Sequence, residues 1–221
     1  MLFIVSTPIG NLKDISRRAL ETLRDVDVII AESPVDSLRL LNAYKISGKE
    51  IIKYNDRNKK SALKVILDIL KEKNAAYITS AGTPSISDPG GDLVRGAREK
   101  GIGINVIPGP SALISAIAAS GIRAREFTFV SFPPKKQGQL KNLFNKFKKG
   151  EGVLVFFESP FRILKTLGAL KEVAPECYLC VAKEMTKMFE NYFTGIPEEV
   201  IKKLEEKKEN QKGEFTIIVQ F

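Results

Sequence analysis

Short, unbroken apolar runs rich in Ile and Val recur through the first half of the chain and constrain its fold more than any other feature. Leu2–Ser6, Val28–Ala31, Ile51–Tyr54, Ala76–Thr79 and Ile104–Ile107 have strand length and lack the polar alternation of a sheet with one wet face. Strands buried on both faces read this way, so a mainly parallel sheet covered on both sides is expected. Segments with apolar residues three and four apart alternate with the runs: Ile15–Arg24, Ser37–Ala43, Ser61–Lys71, Asp92–Lys100 and Ser111–Ala119. Strand and helix in alternation predict a doubly wound α/β domain.

The pattern changes at Gly121–Glu126, which reads as a linker. The expected division is therefore residues 1–120 and 121–221. The second part repeats the α/β character: strands Phe127–Phe132, Val153–Glu158, Tyr178–Lys183, Glu190–Thr194 and Phe215–Phe221, with helices near Gln139–Lys148, Arg162–Val173 and Glu198–Lys208. Too few residues separate Tyr178–Lys183 from Glu190–Thr194 for a crossover helix, so these two strands should pair antiparallel, making the second sheet mixed.

Several function classes drop out. The chain has no histidine, which removes imidazole acid–base chemistry and His-ligated metal; no metal site is expected. Cys177 and Cys180 spell C-x-x-C, but on a strand residues three apart point to opposite faces, so a structural role is expected. No apolar run approaches the ~20 residues that span a bilayer. The start, Met1–Val5, lacks the basic stretch of a signal peptide. A cytoplasmic protein without membrane contact is expected. Neither G-x-G-x-x-G nor G-x-x-x-x-G-K-[ST] is present, disfavouring an ordinary dinucleotide site and nucleotide hydrolysis.

Thirty-five Lys and Arg against 26 Asp and Glu give a net charge of +9, which points to a polyanionic partner. The sharpest local signal is Lys135–Lys149, with Lys135, Lys136, Lys141, Lys146, Lys148 and Lys149, no acidic residue, and Phe144 and Phe147 interleaved. It reads either as a phosphate-contact surface or as a solvated helix with two aromatics in the core. Two loops mark the ligand site. Ser80-Ala-Gly-Thr-Pro-Ser-Ile-Ser-Asp-Pro-Gly90 and Pro108-Gly-Pro-Ser-Ala112 follow strands and lead into helices. Such loops expose backbone groups where open α/β sheets bind ligands.

Thr7-Pro8-Ile9-Gly10-Asn11-Leu12-x-Asp14, Ala31-Glu32, Ala81 to Gly90, Pro108 to Ala112, Glu158-Ser159-Pro160-x-Arg162, Lys183-Glu184-x-Thr186-Lys187 and Lys212-Gly213-Glu214-Phe215 occur in that order. Together they resemble the signature blocks of the ribosomal RNA small-subunit methyltransferase I family, within the tetrapyrrole-methylase superfamily, across essentially the whole chain. The resemblance implies an S-adenosylmethionine-dependent 2′-O-methyltransferase acting on a cytidine in the decoding region of 16S rRNA. It further implies two α/β domains with the cofactor in the cleft between them, a homodimer, and the small ribosomal subunit as partner.

The residues suit that chemistry. Methyl transfer from a sulfonium is an in-line displacement in which positioning does most of the work. Pro8, Gly10, Ser80, Ala81, Gly82, Thr83, Ile86, Pro110, Ser111 and Ala112 are the expected cofactor contacts. A ribose hydroxyl is a poor nucleophile and gains from a nearby proton acceptor; without histidine the candidates are Glu32, Asp14, Glu184 and Lys187. Arg162, Lys135 and Lys136 are expected to hold substrate phosphates, and Asn11 to align the substrate or cap a helix. The chain departs from the family pattern at Ser80, where Asp is usual, at Ser33-Pro34-Val35 in place of Asp-Thr-Arg, and at Phe161 in place of His. It ends at Phe221, where many members continue into a small helical domain. Two other readings stay open: a small-molecule methyltransferase acting on a tetrapyrrole, and a non-catalytic RNA-binding module.

Overall fold

The computed structural model describes residues 1–150 and 152–221. By packing, the chain divides into two compact units, Met1–Ser111 and Ala112–Phe221. The helix after Pro110 thus packs with the second unit, ahead of the pattern change at Gly121–Glu126.

The first unit runs β1 (Leu2–Val5), α1 (Arg17–Asp25), β2 (Val28–Ala31), α2 (Pro34–Ala43), β3 (Glu50–Lys53), α3 (Lys59–Ile69), β4 (Ala75–Ile78), α4 (Gly91–Glu99) and β5 (Ile104–Ile107). Its sheet has the order β3-β2-β4-β1-β5, parallel throughout. From β1 the chain steps one way to β2 and β3, then the other way to β4 and β5. Right-handed crossovers then require α1 and α2 on one face and α3 and α4 on the other. The cores agree. Ala19, Leu23 and Leu41 pack with Ile29, Ala31, Ala76 and Ile78; Ile66, Leu70, Leu93 and Ala97 pack with Val28, Ile30, Ala75 and Tyr77. Successive residues of one strand serve opposite cores, which is why the runs are apolar without alternation. Each fully buried aliphatic side chain contributes roughly 1.5–3 kcal/mol.

The second unit comprises α5 (Ala112–Ala119), β6 (Phe127–Phe129), α6 (Gln137–Lys148), β7 (Val153–Glu158), α7 (Ile163–Val173), β8 (Tyr178–Lys183), β9 (Asn191–Gly195), α8 (Pro197–Glu205) and β10 (Phe215–Gln220). Its sheet has the order β6-β7-β10-β8-β9. β6 pairs parallel to β7 and the other neighbours are antiparallel, so β8 and β9 form the expected antiparallel pair. Phe144, Leu167, Leu170, Val200 and Leu204 cover one face through Phe156, Leu179, Val181 and Ile217, and α5 packs against β10. β6 is shorter than the sequence suggests. Ser131 adopts a positive φ of 57° and Pro133-Pro134 follow, and proline cannot donate to a ladder. Cys177 joins the helix-covered core, whereas Cys180 is buried outside it. Both are free thiols, and burial pushes each up to about 11. At neutral pH they are protonated packing residues.

Candidate active site

β1 and β4 are neighbours whose outgoing loops lead to helices on opposite faces of the sheet, and that divergence opens a crevice at their carboxyl ends. The crevice is built tightly. Thr7 and Gly82 exchange two main-chain bonds, the Thr7 N–H donating to the Gly82 carbonyl at 2.9 Å and the Gly82 N–H to the Thr7 carbonyl at 3.0 Å. Gly82 holds a φ of +76°, and a Cβ there would come within 3.4 Å of the Ile9 side chain. A residue with a side chain would pay for that left-handed backbone.

Hydroxyls tie in the third loop. The Thr83 hydroxyl donates to the Pro110 carbonyl at 3.2 Å and is 3.0 Å from the Ser6 hydroxyl. With the Thr83 proton used on Pro110, Ser6 is the donor of that second bond. A Cβ on Gly109 would meet Ser6 Cβ at 3.0 Å, so the Pro108–Ser111 turn lies directly on the end of β1. The structure thus joins Pro8, Gly82, Thr83, Pro110 and Ser111 in one set of linked turns. Gly10, Ser80, Ala81 and Ile86 are exposed on the same loops.

Carboxylates line the β2 side. Glu32 directly follows β2, and its Oε2 accepts the Ser80 N–H at 3.3 Å. The Ser80 hydroxyl donates to Asp36 Oδ2 at 3.2 Å. Asp36 is aimed by its own helix start: Ser33 is the N-cap of α2, its Oγ accepting the Asp36 N–H at 3.4 Å, and Pro34 opens the first turn. Ser33-Pro34, a departure from the resembled pattern, is therefore a cap, and the helix it opens sets the Asp36 carboxylate beside Ser80. Asp88 is half-buried, and burial followed by the nearby Glu32 charge pushes its carboxyl up to about 6, against a hydrogen bond from Thr79. Sequence reasoning passed over Asp36 and Asp88. Asp88 stands inside the Ile86–Gly90 block and could have been taken from it; Asp36 carries no such mark.

Other expected residues have local duties. Asn11 Oδ1 accepts the Lys13 N–H at 3.1 Å and caps the short turn Leu12–Asp14, while Ser16 caps α1. Asp14 is exposed in that turn.

In the second unit, Arg162 Nη2 donates to the Pro133 and Pro134 carbonyls at 3.2 and 3.0 Å and pairs with the buried Glu158 at 3.3 Å. Lys187 Nζ donates to Glu184 Oε1 at 2.9 Å and Glu214 Oε2 at 2.8 Å, and Glu184 Oε1 also takes the Glu214 N–H at 2.9 Å. Burial pushes Glu184 up, but the bonds from Lys187 and the Glu214 N–H outweigh it and hold the carboxyl below its ordinary value. Burial pulls Lys187 down, yet Glu214 and Glu184 raise it above its ordinary value. A carboxylate held acidic and an ammonium held protonated make poor proton acceptors at neutral pH; their visible work is to close the turn after β8.

The basic run divides. Phe144 is fully buried and packs beside Phe156, and Phe147 stacks on Phe221, so the interleaved aromatics belong to the core. Lys141 pairs with Glu172 and Lys148 donates to the Val173 carbonyl at 2.7 Å. Lys135 and Lys136 remain exposed at the head of α6.

This sheet order and these linked turns define a class. A family model described as Tetrapyrrole (Corrin/Porphyrin) Methylases matches residues 1–200. Solved structures of similar fold include diphthine synthase, with a TM-score of 0.77 at 14% identity over 99% of this chain and 89% of that one. The methyltransferase CobJ superposes with a TM-score of 0.70 at 15% identity, covering 99% and 93%. Sequence relatives are nearer. The ribosomal RNA small subunit methyltransferase I of Thermotoga maritima is 44% identical over 99% of this chain and 97% of its own length; that of Haemophilus influenzae is 40% identical over 100% and 78%. The chain belongs to the ribosomal RNA small subunit methyltransferase I family of the tetrapyrrole methylases, and it is a methyltransferase.

Proposed function

We propose that this enzyme methylates the ribose 2′-hydroxyl of a cytidine in 16S rRNA, with S-adenosylmethionine as donor, acting in the cytoplasm as a homodimer. The observation that carries the reading is the set of linked turns at the ends of β1, β4 and β5, with two carboxylates hydrogen-bonded to Ser80. The donor set fits the cofactor: small residues leave main-chain groups approachable, and Asp36 offers an acceptor for the hydroxyls of a nucleoside. When bound, S-adenosylmethionine supplies an electrophilic methyl group.

The protein's own residues do the rest. Gly82, Thr83, Pro110, Ser111 and Ala112 hold the nucleoside and amino-acid ends in place, and the Ser6–Thr83–Pro110 chain fixes the turns before anything binds. Glu32 keeps Oε2 on the Ser80 N–H and uses Oε1 to take the proton of the attacking hydroxyl as the new carbon–oxygen bond forms. Asp88 lies near it, and burial first and the Glu32 charge second push its carboxyl up to about 6.

The deciding experiment uses small subunits from a strain lacking the protein, incubated with enzyme and S-adenosylmethionine, with the modified nucleotide mapped. One cytidine gaining a ribose methyl supports the reading. Calorimetry without heat at millimolar S-adenosylmethionine would overturn it.

A further inference from the structure

Three strands of the second unit end together. β7 finishes at Glu158 and β8 at Lys183, both registered with Phe215 at the start of β10, and β6 runs parallel to β7 toward the same end. The loops beyond them carry the most exposed large apolar side chains of the unit. Phe161 is 95% exposed, Met188 90%, Phe189 68% and Phe132 58%. Arg162 fastens the loop of Phe161 to the Pro133 and Pro134 carbonyls, bringing Phe132, Lys135 and Lys136 to the same corner. Phe132 is propped edge-on against Phe157 at 5.8 Å. Lys183 Nζ donates to the Phe189 carbonyl at 3.3 Å and lies 6.0 Å from its ring centroid.

None of the four apolar side chains serves the core, and a cluster of this kind marks a contact surface. The nearby acids are already engaged. Glu184 and Glu214 share the single Lys187 charge, and Glu190 accepts the Thr186 N–H and the Tyr192 hydroxyl. What faces outward at the Phe161 corner is flat rings beside the exposed Lys135 and Lys136. We infer that this end of the second unit receives an unpaired stretch of RNA, a base stacking on Phe161 and backbone phosphates on Lys135 and Lys136. Every base has a π-face and every phosphate a charge, so this chemistry fits a single strand. A second copy of the chain, carrying the same lysines, fits it poorly. The inference deepens the rRNA reading and rests on it.

Fluorescence anisotropy with a labelled single-stranded RNA of about 12 nucleotides tests it. Phe161→Ala should raise the dissociation constant roughly tenfold, the loss of one base stack, and Phe161→Trp should restore it. Replacing Lys135 and Lys136 together by Ala should flatten the slope of log affinity against log salt by ~1.4, about 0.7 per phosphate contact. Heats of S-adenosylmethionine binding should be the same in all variants. Unchanged RNA affinity in Phe161→Ala, with small subunits still methylated, would overturn the inference and leave the function standing. A dimer that dissociates in that variant, seen by light scattering, would reassign the patch to a subunit interface and equally overturn it. Wild-type protein that neither binds RNA nor methylates subunits would instead remove the rRNA reading itself.

Discussion

Glu32 and Asp88 stand near each other beside the crevice and carry separate predictions. Half-burial, and after it the neighbouring Glu32 charge, makes the Asp88 carboxyl hold its proton to a higher pH. Glu32→Gln keeps the acceptor for the Ser80 N–H but removes the proton acceptor. Turnover should fall at least a hundredfold, the usual scale of a general base, while the heat of S-adenosylmethionine binding changes little; unchanged turnover would take Glu32 out of the chemistry. Asp88 makes a separate prediction about stability. Its folded-state value of about 6 lies above the ordinary 3.8, so the folded protein holds that proton more tightly than the unfolded chain. Stability from this group is complete below about pH 4 and is lost as pH rises through 6. Asp88→Asn should therefore melt at a higher temperature than wild type at pH 7.5, with the advantage gone at pH 4. An equal difference at both pH values would contradict the shift.

At the scale of elements, α6 shows where sequence and structure part. A basic helix with two phenylalanines reads as a nucleic-acid face or as an amphipathic core helix, and only packing separates the two. Phe144→Ala should cost roughly 3–5 kcal/mol of stability, measured by denaturant unfolding, while the folded fraction binds RNA as before; a selective loss of RNA affinity would put the ring back on the surface. Strands were legible almost residue by residue. Val28–Ala31, Val153–Glu158 and Tyr178–Lys183 form as read, because each is a nearly continuous run of buried residues. Helix ends were less so. The Glu198–Lys208 pattern continues in good helix formers, yet α8 stops at Glu205. Asn210 and Gln211 donate side-chain N–H groups to the Lys203 and Leu204 carbonyls and so turn the chain away. The site was legible in its loops and not in its carboxylates: Ser80 and Asp36 touch across 44 residues of sequence, a proximity no local pattern encodes.

For the molecule as a whole, the net charge of +9 makes salt the plainest test of its partner. RNA affinity should fall steeply between low and physiological salt, with a slope set by the number of phosphates neutralised. Affinity indifferent to salt would leave the charge excess without an RNA role. The reciprocal pair between Thr7 and Gly82 carries a different consequence. Those two amides belong to loops, which ordinarily exchange with deuterated water within moments. Clasped to each other at the end of two central strands, they should exchange as slowly as the strands, since neither opens unless β1 and β4 separate. The ligand-free enzyme would then spend its time with the crevice already formed, and cofactor association would show a single concentration-dependent phase with no slow step of ordering behind it.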